Sequence, residues 1–147
     1  MRYNLECARA GLLFLESSEY VELNDNGFAV FKLTPIEALY AALPDYPHED
    51  IFYSTFNLAE SGYIEESHLD TGDGICCFSV IRITAAGHAF LEGVRDPKRW
   101  SLTKRLLGSV RDFSLDAIEH IAKGMTSALA DQALQQSTPQ LLDLFLK

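Results

Sequence analysis

Between Ile51 and Arg95 the chain reads IFYSTFNLAESGYIEE, then a polar stretch, then ICCFSVIRITAAGHAFLEGVR. Apolar residues recur at three and four positions and stop at Gly62, a residue suited to ending a helix. A strand follows, a glycine-bearing loop reverses the chain, a second strand returns, and Thr84 opens a new helix. Of the 147 residues these constrain the fold most, because helix and strand periods do not interchange and a short polar loop makes the two strands antiparallel neighbours.

Upstream, Leu5, Ala8, Leu12 and Leu15 stand at helical spacing and predict a first helix over residues 4–17. Tyr20–Leu23 and Phe28–Leu33 alternate in strand fashion around Asn24-Asp25-Asn26-Gly27, a hairpin signal. Thr34-Pro35 supplies an N-cap and a first-turn proline for a second helix whose apolar face is Ile36, Leu39, Tyr40 and Leu43. Pro44 and Pro47 end it, and a third helix spans His48 to Ser61. Strands are predicted at Tyr63–Ser67 and Ile75–Ile83, with His68 to Gly74 as the tip between them. Two short helices, a strand, a tip and a strand form the order of a winged helix-turn-helix module, with the tip as the wing.

Downstream the pattern is helical. Thr84 caps Ala85–Arg95, Asp96-Pro97 opens a helix with Trp100, Leu102, Leu106 and Leu107 as its apolar positions, and Ser114 caps a helix to about Gln136. Thr138-Pro139 opens a last segment, QLLDLFLK, apolar enough to dock on its own domain, on a second copy or on a partner. The expected fold class is therefore α+β, mainly α: a winged helix-turn-helix-like module with a small antiparallel sheet and additional C-terminal helices. One domain covers 1–147, with a core of about 1–96 and a helical extension of about 97–147.

With 48% hydrophobic residues the chain can bury a real core. No apolar run reaches the roughly 18–20 residues that span a bilayer, and the first residues suit a helix better than a signal peptide because Glu6 and Glu16 bracket the apolar run. A cytoplasmic protein with no membrane association is expected. Cys7, Cys76 and Cys77 are read as reduced, core or half-core thiols. Adjacent strand residues point to opposite faces, which makes Cys76 and Cys77 a poor chelating or disulfide pair. His48, His68, His88 and His120 have no metal-ligand spacing with them, so neither a metal nor another cofactor is expected.

Charge is unevenly placed. Residues 1–81 hold 14 acids and 3 bases, whereas six of the twelve bases lie between Arg95 and Arg111. A helix that reads bases needs polar or cationic side chains flanked by Lys and Arg. The third helix instead offers Glu49, Asp50, Ser54, Asn57 and Glu60 and carries neither Lys nor Arg, while the tip carries Asp70 and Asp73. Nucleic acid is thus disfavoured on that face. Glu49, Asp50, Glu60, Glu65 and Glu66 are the expected acidic face toward a basic partner. Arg95, Lys98, Arg99, Lys104 and Arg105 are the candidate phosphate contacts, with Lys98 and Arg105 seven positions apart on one helix face. Trp100 among them reads as a core anchor. The triads that can be picked out, Ser61 with His68 and Asp70 or Ser79 with His88 and Asp96, lack a nucleophile elbow, and no catalytic residue is assigned.

The segments ESGYIEE, IRITAAGHAFLEGVRDPKRW and SLDAIEHIAKG resemble the family known as domain of unknown function 2513. The matching positions are Gly62, Tyr63 and Ile64; Ile83, Thr84, Gly87, His88, Phe90, Leu91 and Arg95; Trp100; and Ser114 to Ile118, within about residues 50–124. In that family a histidine follows the third-helix tyrosine, where this chain has Ser54 after Tyr53. The resemblance implies a compact winged-helix-like fold, a prokaryotic or phage setting and no established activity. It makes Gly62, Thr84, Gly87, His88 and Trp100 a fold signature, in which Thr84 caps a helix, Gly87 packs closely and His88 makes a buried hydrogen bond.

The first functional expectation is a non-catalytic protein that binds a basic protein partner as a regulator, antitoxin-like partner or phage-encoded inhibitor. The second is a DNA-binding transcription regulator that uses the basic 95–111 segment, as a homodimer through its C-terminal helices.

Overall fold

The structure is a computed structural model and describes residues 3–18, 20–110 and 115–131. Arg111, Ser114, the expected helix end beyond Asp131 and the Leu141–Leu146 tail lie outside the described residues. The chain divides into two compact units, 1–88 and 89–147, with the division inside one helix. The described residues form six helices and small antiparallel sheets, the α+β, mainly helical class expected.

In the first unit α1 (Leu5–Glu16) starts at Asn4, whose side chain accepts from Cys7 N at 3.1 Å. That bond satisfies an amide which the helix itself leaves unpaired. Its buried face is Cys7, Ala8, Gly11, Leu12 and Leu15, and it packs on α3. β1 (Val21–Leu23) and β2 (Ala29–Phe31) pair as an antiparallel ribbon, Val21 opposite Phe31 and Leu23 opposite Ala29. Asn24 Oδ1 accepts from the amides of Asn26 and Phe28, and Gly27 takes φ +79°, so the ribbon turns where Asn and Gly permit it.

Thr34 does not cap the second helix. Thr34–Pro35 forms a short strand, β3, with Thr34 opposite Val80, and Pro35 occupies the N-cap of α2 (Ile36–Ala42) without a capping side chain. Pairing with the sheet takes Thr34 to a buried position. Pro47 precedes α3 (His48–Glu60), which buries Ile51, Ser54, Thr55 and Leu58. The hydroxyl of Thr55 donates to Ile51 O at 2.7 Å, so this buried polar atom is satisfied within the helix.

β4 (Ile64–Thr71) and β5 (Gly74–Ile83) form a sheet of order β3-β5-β4. The expected seven-residue tip is mostly ladder: Leu69 faces Cys76, Asp70 faces Ile75, and Thr71 faces Gly74, which leaves Gly72-Asp73 as the turn. Gly74 supports it at φ +128°, and Thr71 Oγ1 donates to Gly74 O at 2.8 Å. Polar composition masked a strand whose two faces are both exposed. Two register shifts interrupt the ladder. One leaves Ile81 extra between the Glu65–Arg82 and Glu66–Val80 pairs; the other sets Cys77 and Phe78 against His68 alone. Each extra residue reverses the strand's facing. This is why the buried positions run Phe78, Val80, then Ile83.

The end of α3 and the start of α4 (Ala85–Val94) meet at one junction. Gly62, at φ +80°, donates to Ala59 O at 3.0 Å, and Tyr63 N donates to Leu58 O at 3.0 Å. These bonds terminate the helix with a left-handed glycine and bury Leu58 and Tyr63. Thr84 then links both ends. Its amide donates to Tyr63 O at 3.0 Å, its hydroxyl donates to Gly62 O at 2.6 Å, and the same oxygen accepts from Gly87 N at 3.0 Å. A Cβ on Gly87 would lie 1.9 Å from Tyr63 O, so no side chain fits there.

In the second unit Phe90, Leu91 and Val94 are buried. Asp96 accepts from the amides of Lys98 and Arg99 at 2.8 and 3.1 Å and so caps α5 (Pro97–Val110). Those two amides, with the Arg99 and Lys98 charges, hold the Asp96 carboxyl below its ordinary range. α5 buries Trp100, Leu102, Thr103, Leu106 and Leu107 and packs on α6 (Leu115–Asp131), which contributes Leu115, Ile118 and Ile121.

An Ala replacing an ordinary exposed helix glycine stabilises by about 1 kcal/mol. Gly87→Ala is expected to do the reverse and cost about 3 kcal/mol through the Tyr63 carbonyl clash. Thr84→Val should cost about 1 kcal/mol as the cap is lost, while Thr84→Ser keeps most of it. Urea unfolding midpoints of the full chain check both signs.

Candidate functional site

The α3 surface does not have the make-up of a phosphate-contacting helix. Ser54, expected outside, is buried, and its hydroxyl donates to Asn4 O at 3.4 Å. Burial raises the Cys7 thiol, and the neighbouring Ser54 hydroxyl lowers it part of the way back. The Asn57 amide is turned onto its own helix and donates to Tyr53 O at 2.7 Å. Glu49 and Asp50 occupy the first turn of α3, where the helix dipole favours carboxylates, and Asp50 also accepts from Asn4 at 3.3 Å. Glu49, Tyr53 and Glu60 remain exposed along the helix.

The five acids do not stand as equivalent open charges. Glu65 pairs with Arg82 at 2.6 Å across the β4–β5 ladder, and Glu66 pairs with His68 Nδ1 at 2.8 Å. His68 Nε2 lies 3.5 Å from Asp70, and its ring stacks at 6.1 Å on Phe78. His68 thus sits between two carboxylates. The Glu66 hydrogen bond, with the Glu66 and Asp70 charges behind it, raises the His68 pKa; partial desolvation opposes this. Of the expected acidic face, Glu49, Asp50 and Glu60 stay on α3 without an ion pair among the described contacts.

The fold signature is brought together only in part. Gly62, Thr84 and Gly87 meet in the junction described above. His88 does not join them: it is exposed, and the expected buried hydrogen bond is replaced by its amide donating to Thr84 O at 2.9 Å in the first turn of α4. Position 87, which must be Gly, faces Tyr63, so the next residue is turned away by one helical step. Trp100 is 4% exposed, inside the second unit.

The basic segment is partly occupied by its own surroundings. Arg95 pairs with Glu92 at 2.6 Å, and Lys104 Nζ lies 5.7 Å from the centroid of the Trp100 ring. Arg99 is half-buried, and Lys98 and Arg105 are exposed on α5.

Two features went unmarked as sites by sequence reasoning. The first is the β1–β2 ribbon, which exposes Val21 (52%), Leu23 (70%), Phe28 (66%) and Phe31 (50%). Register places Val21, Leu23, Ala29 and Phe31 on one face, while Glu22 and Val30 take the other, with Lys32 paired to Glu22 at 3.1 Å. The signal was legible as V-E-L against A-V-F; what the sequence did not disclose is that the apolar side stays exposed among the described residues. The second is the cysteine pair. Cys7 is buried as expected, but Cys76 and Cys77 are both exposed, and Cys77 takes φ +58°. The neighbouring Cys77 thiol raises the Cys76 thiol. Among the described residues, no group of three or more His, Cys, Asp or Glu could hold a metal ion, and no helix is long and apolar enough to cross a membrane.

Residues 2–111 match the family model described as a hypothetical protein (DUF2513), reaching further toward the N-terminus than the 50–124 span carried by the motifs. No curated protein and no solved structure matches the chain.

Glu66→Gln is expected to return His68 from its raised pKa toward the ordinary ~6.5, read as the imidazole shift in an NMR titration. A raised value means that the pair stabilises the fold fully below that ordinary pH and loses its contribution as pH climbs through the folded value. The wild-type hairpin should therefore lose more stability than Glu66→Gln on passing from pH 6 toward 8.

Proposed function

The chain belongs to the DUF2513 family, a family of unknown function, and on that footing we propose that it is a non-catalytic, winged-helix-like protein that acts by binding another protein. The observation that carries this reading is the uncovered apolar face of the β1–β2 ribbon. Large apolar side chains grouped on one face of a two-stranded ribbon remain in water at a free-energy cost that association removes. The ribbon belongs to a unit whose 88 residues hold 14 acids and 4 bases, so the partner that fits is an apolar patch rimmed by basic groups. Carboxylates at Glu49, Asp50 and Glu60 steer such a partner and repel polyanions. A regulator or an antitoxin-like inhibitor acts in this way, by occupying the surface of a basic protein.

Two measurements test this. In the first, labelled random-sequence duplex DNA is titrated at low and then near-physiological salt. No salt-sensitive binding is expected. Binding that falls with salt and disappears in Lys98→Glu/Arg105→Glu would establish a phosphate-contacting segment and overturn the proposal. In the second, Leu23→Lys/Phe31→Lys is compared with wild type as bait. These side chains are exposed, so folding stability should change by no more than about 0.5 kcal/mol. A basic protein retained by wild type, released by added salt and lost from the variant is the expected result; identical capture by both removes the ribbon as the contact. Sedimentation of both proteins shows whether the lost contact was to a second copy of the chain.

A further inference from the structure

Regular strand geometry sends adjacent side chains to opposite faces, and on that rule Cys76 and Cys77 cannot act together. The chain breaks the rule at this bulge. Cys77 is the only described non-glycine residue with positive φ, at +58°, a left-handed conformation that L residues rarely adopt. It lies in the register shift where the step from Cys76 to Ser79 on β5 faces the shorter step from Leu69 to Ser67 on β4. Both cysteines are exposed there, and the extra residue with its left-handed turn releases the pair from the strict alternation of a regular strand.

We propose that Cys76 and Cys77 form a vicinal dithiol site for soft, thiophilic electrophiles, specifically monosubstituted trivalent arsenicals. Three observations select this class. First, the site offers two sulfurs, and no cluster of three or more candidate ligands occurs among the described residues, so an ion that needs four protein ligands, as structural zinc does, is unsuited. A trivalent arsenical carrying one organic group needs two further bonds. Second, a direct disulfide is a poor product here. Consecutive Cα atoms lie about 3.8 Å apart across a trans peptide, short of the ~4.4–6.8 Å of ordinary disulfides; an arsenic atom between the sulfurs widens the ring. Third, Leu69 stands directly opposite Cys76 and is 58% exposed, so an apolar surface adjoins the sulfurs and can take the organic substituent.

The reaction balances without an oxidant. An arsenoxide R–As=O and two Cys–SH give R–As(S–Cys)2 and water. Two As–S bonds form, two S–H bonds break, both protons leave with the oxide oxygen, and arsenic stays trivalent.

The test uses the full reduced chain and phenylarsine oxide, read by intact mass after a wash in excess monothiol and again after a wash in a dithiol such as 2,3-dimercaptopropanol. One phenylarsenic group per chain is expected to survive the monothiol and to be lost to the dithiol. Cys76→Ser and Cys77→Ser should each lose the adduct in the monothiol wash, and Cys7→Ser should keep it. Both exposed-site variants should show the wild-type urea midpoint, which separates loss of ligand from loss of fold. An adduct that monothiol removes from wild type, or that survives it in Cys77→Ser, would overturn the proposal.

Discussion

One threonine hydroxyl holds the first unit's two halves in register. Thr84 Oγ1 donates to Gly62 O and accepts from Gly87 N, while the Thr84 amide takes Tyr63 O. The end of α3, the start of β4, the end of β5 and the start of α4 are thereby tied within four residues. The tie requires close backbone approach, and only a residue without Cβ tolerates Tyr63 O at position 87. The stop of α3 and the pairing of Ile64 with Ile83 follow from the same geometry, since a helix that ran one residue further would misplace every β4–β5 pair. The family motif around these positions is thus a structural clasp, and His88, its exposed member, stands outside the clasp.

The clasp fixes where the long hairpin begins, and two bulges decide where its side chains go. Without the extra Ile81, the strand that buries Phe78 and Val80 would turn Ile83 to water. In a regular strand the two thiols would part to opposite faces; the extra residue and the positive φ at Cys77 relax that rule. The same device therefore serves the core at one end of β5 and frees a pair of exposed cysteines from regular alternation nearer its other end. Opposite this bulge, on β4, His68 contacts Glu66 on one side and Asp70 on the other, a charge arrangement that depends on pH.

On α3 the chemistry follows from what the helix must pack against. Its Ser54 faces α1 and Asn4, so the polar residue that could have touched a ligand is part of the interior. What the unit turns outward is carboxylate on α3 and hydrocarbon on the β1–β2 ribbon. Protein recognition uses that combination, whereas phosphate recognition needs the opposite charge.

Most helices and their ends were legible from the chain alone. Apolar spacing marked α1, α3 and α5, Gly62 marked a stop, and Asp96-Pro97 marked a start, because caps and 3.6-residue periodicity are local properties. The acidic bias of the first half was equally plain, as was membership of the family through the Gly-His-x-Phe-Leu block. Tertiary structure decided the rest. Thr34 joined a strand because β5 offered a partner edge, the polar tip became ladder because Thr71 could pair with Gly74, and Ser54 went inside because α1 lay over it. Whether the ribbon's apolar face is covered, and where a bulge interrupts the alternation of two neighbouring cysteines, depend on register and on contacts distant in sequence. Composition and periodicity carry no record of either.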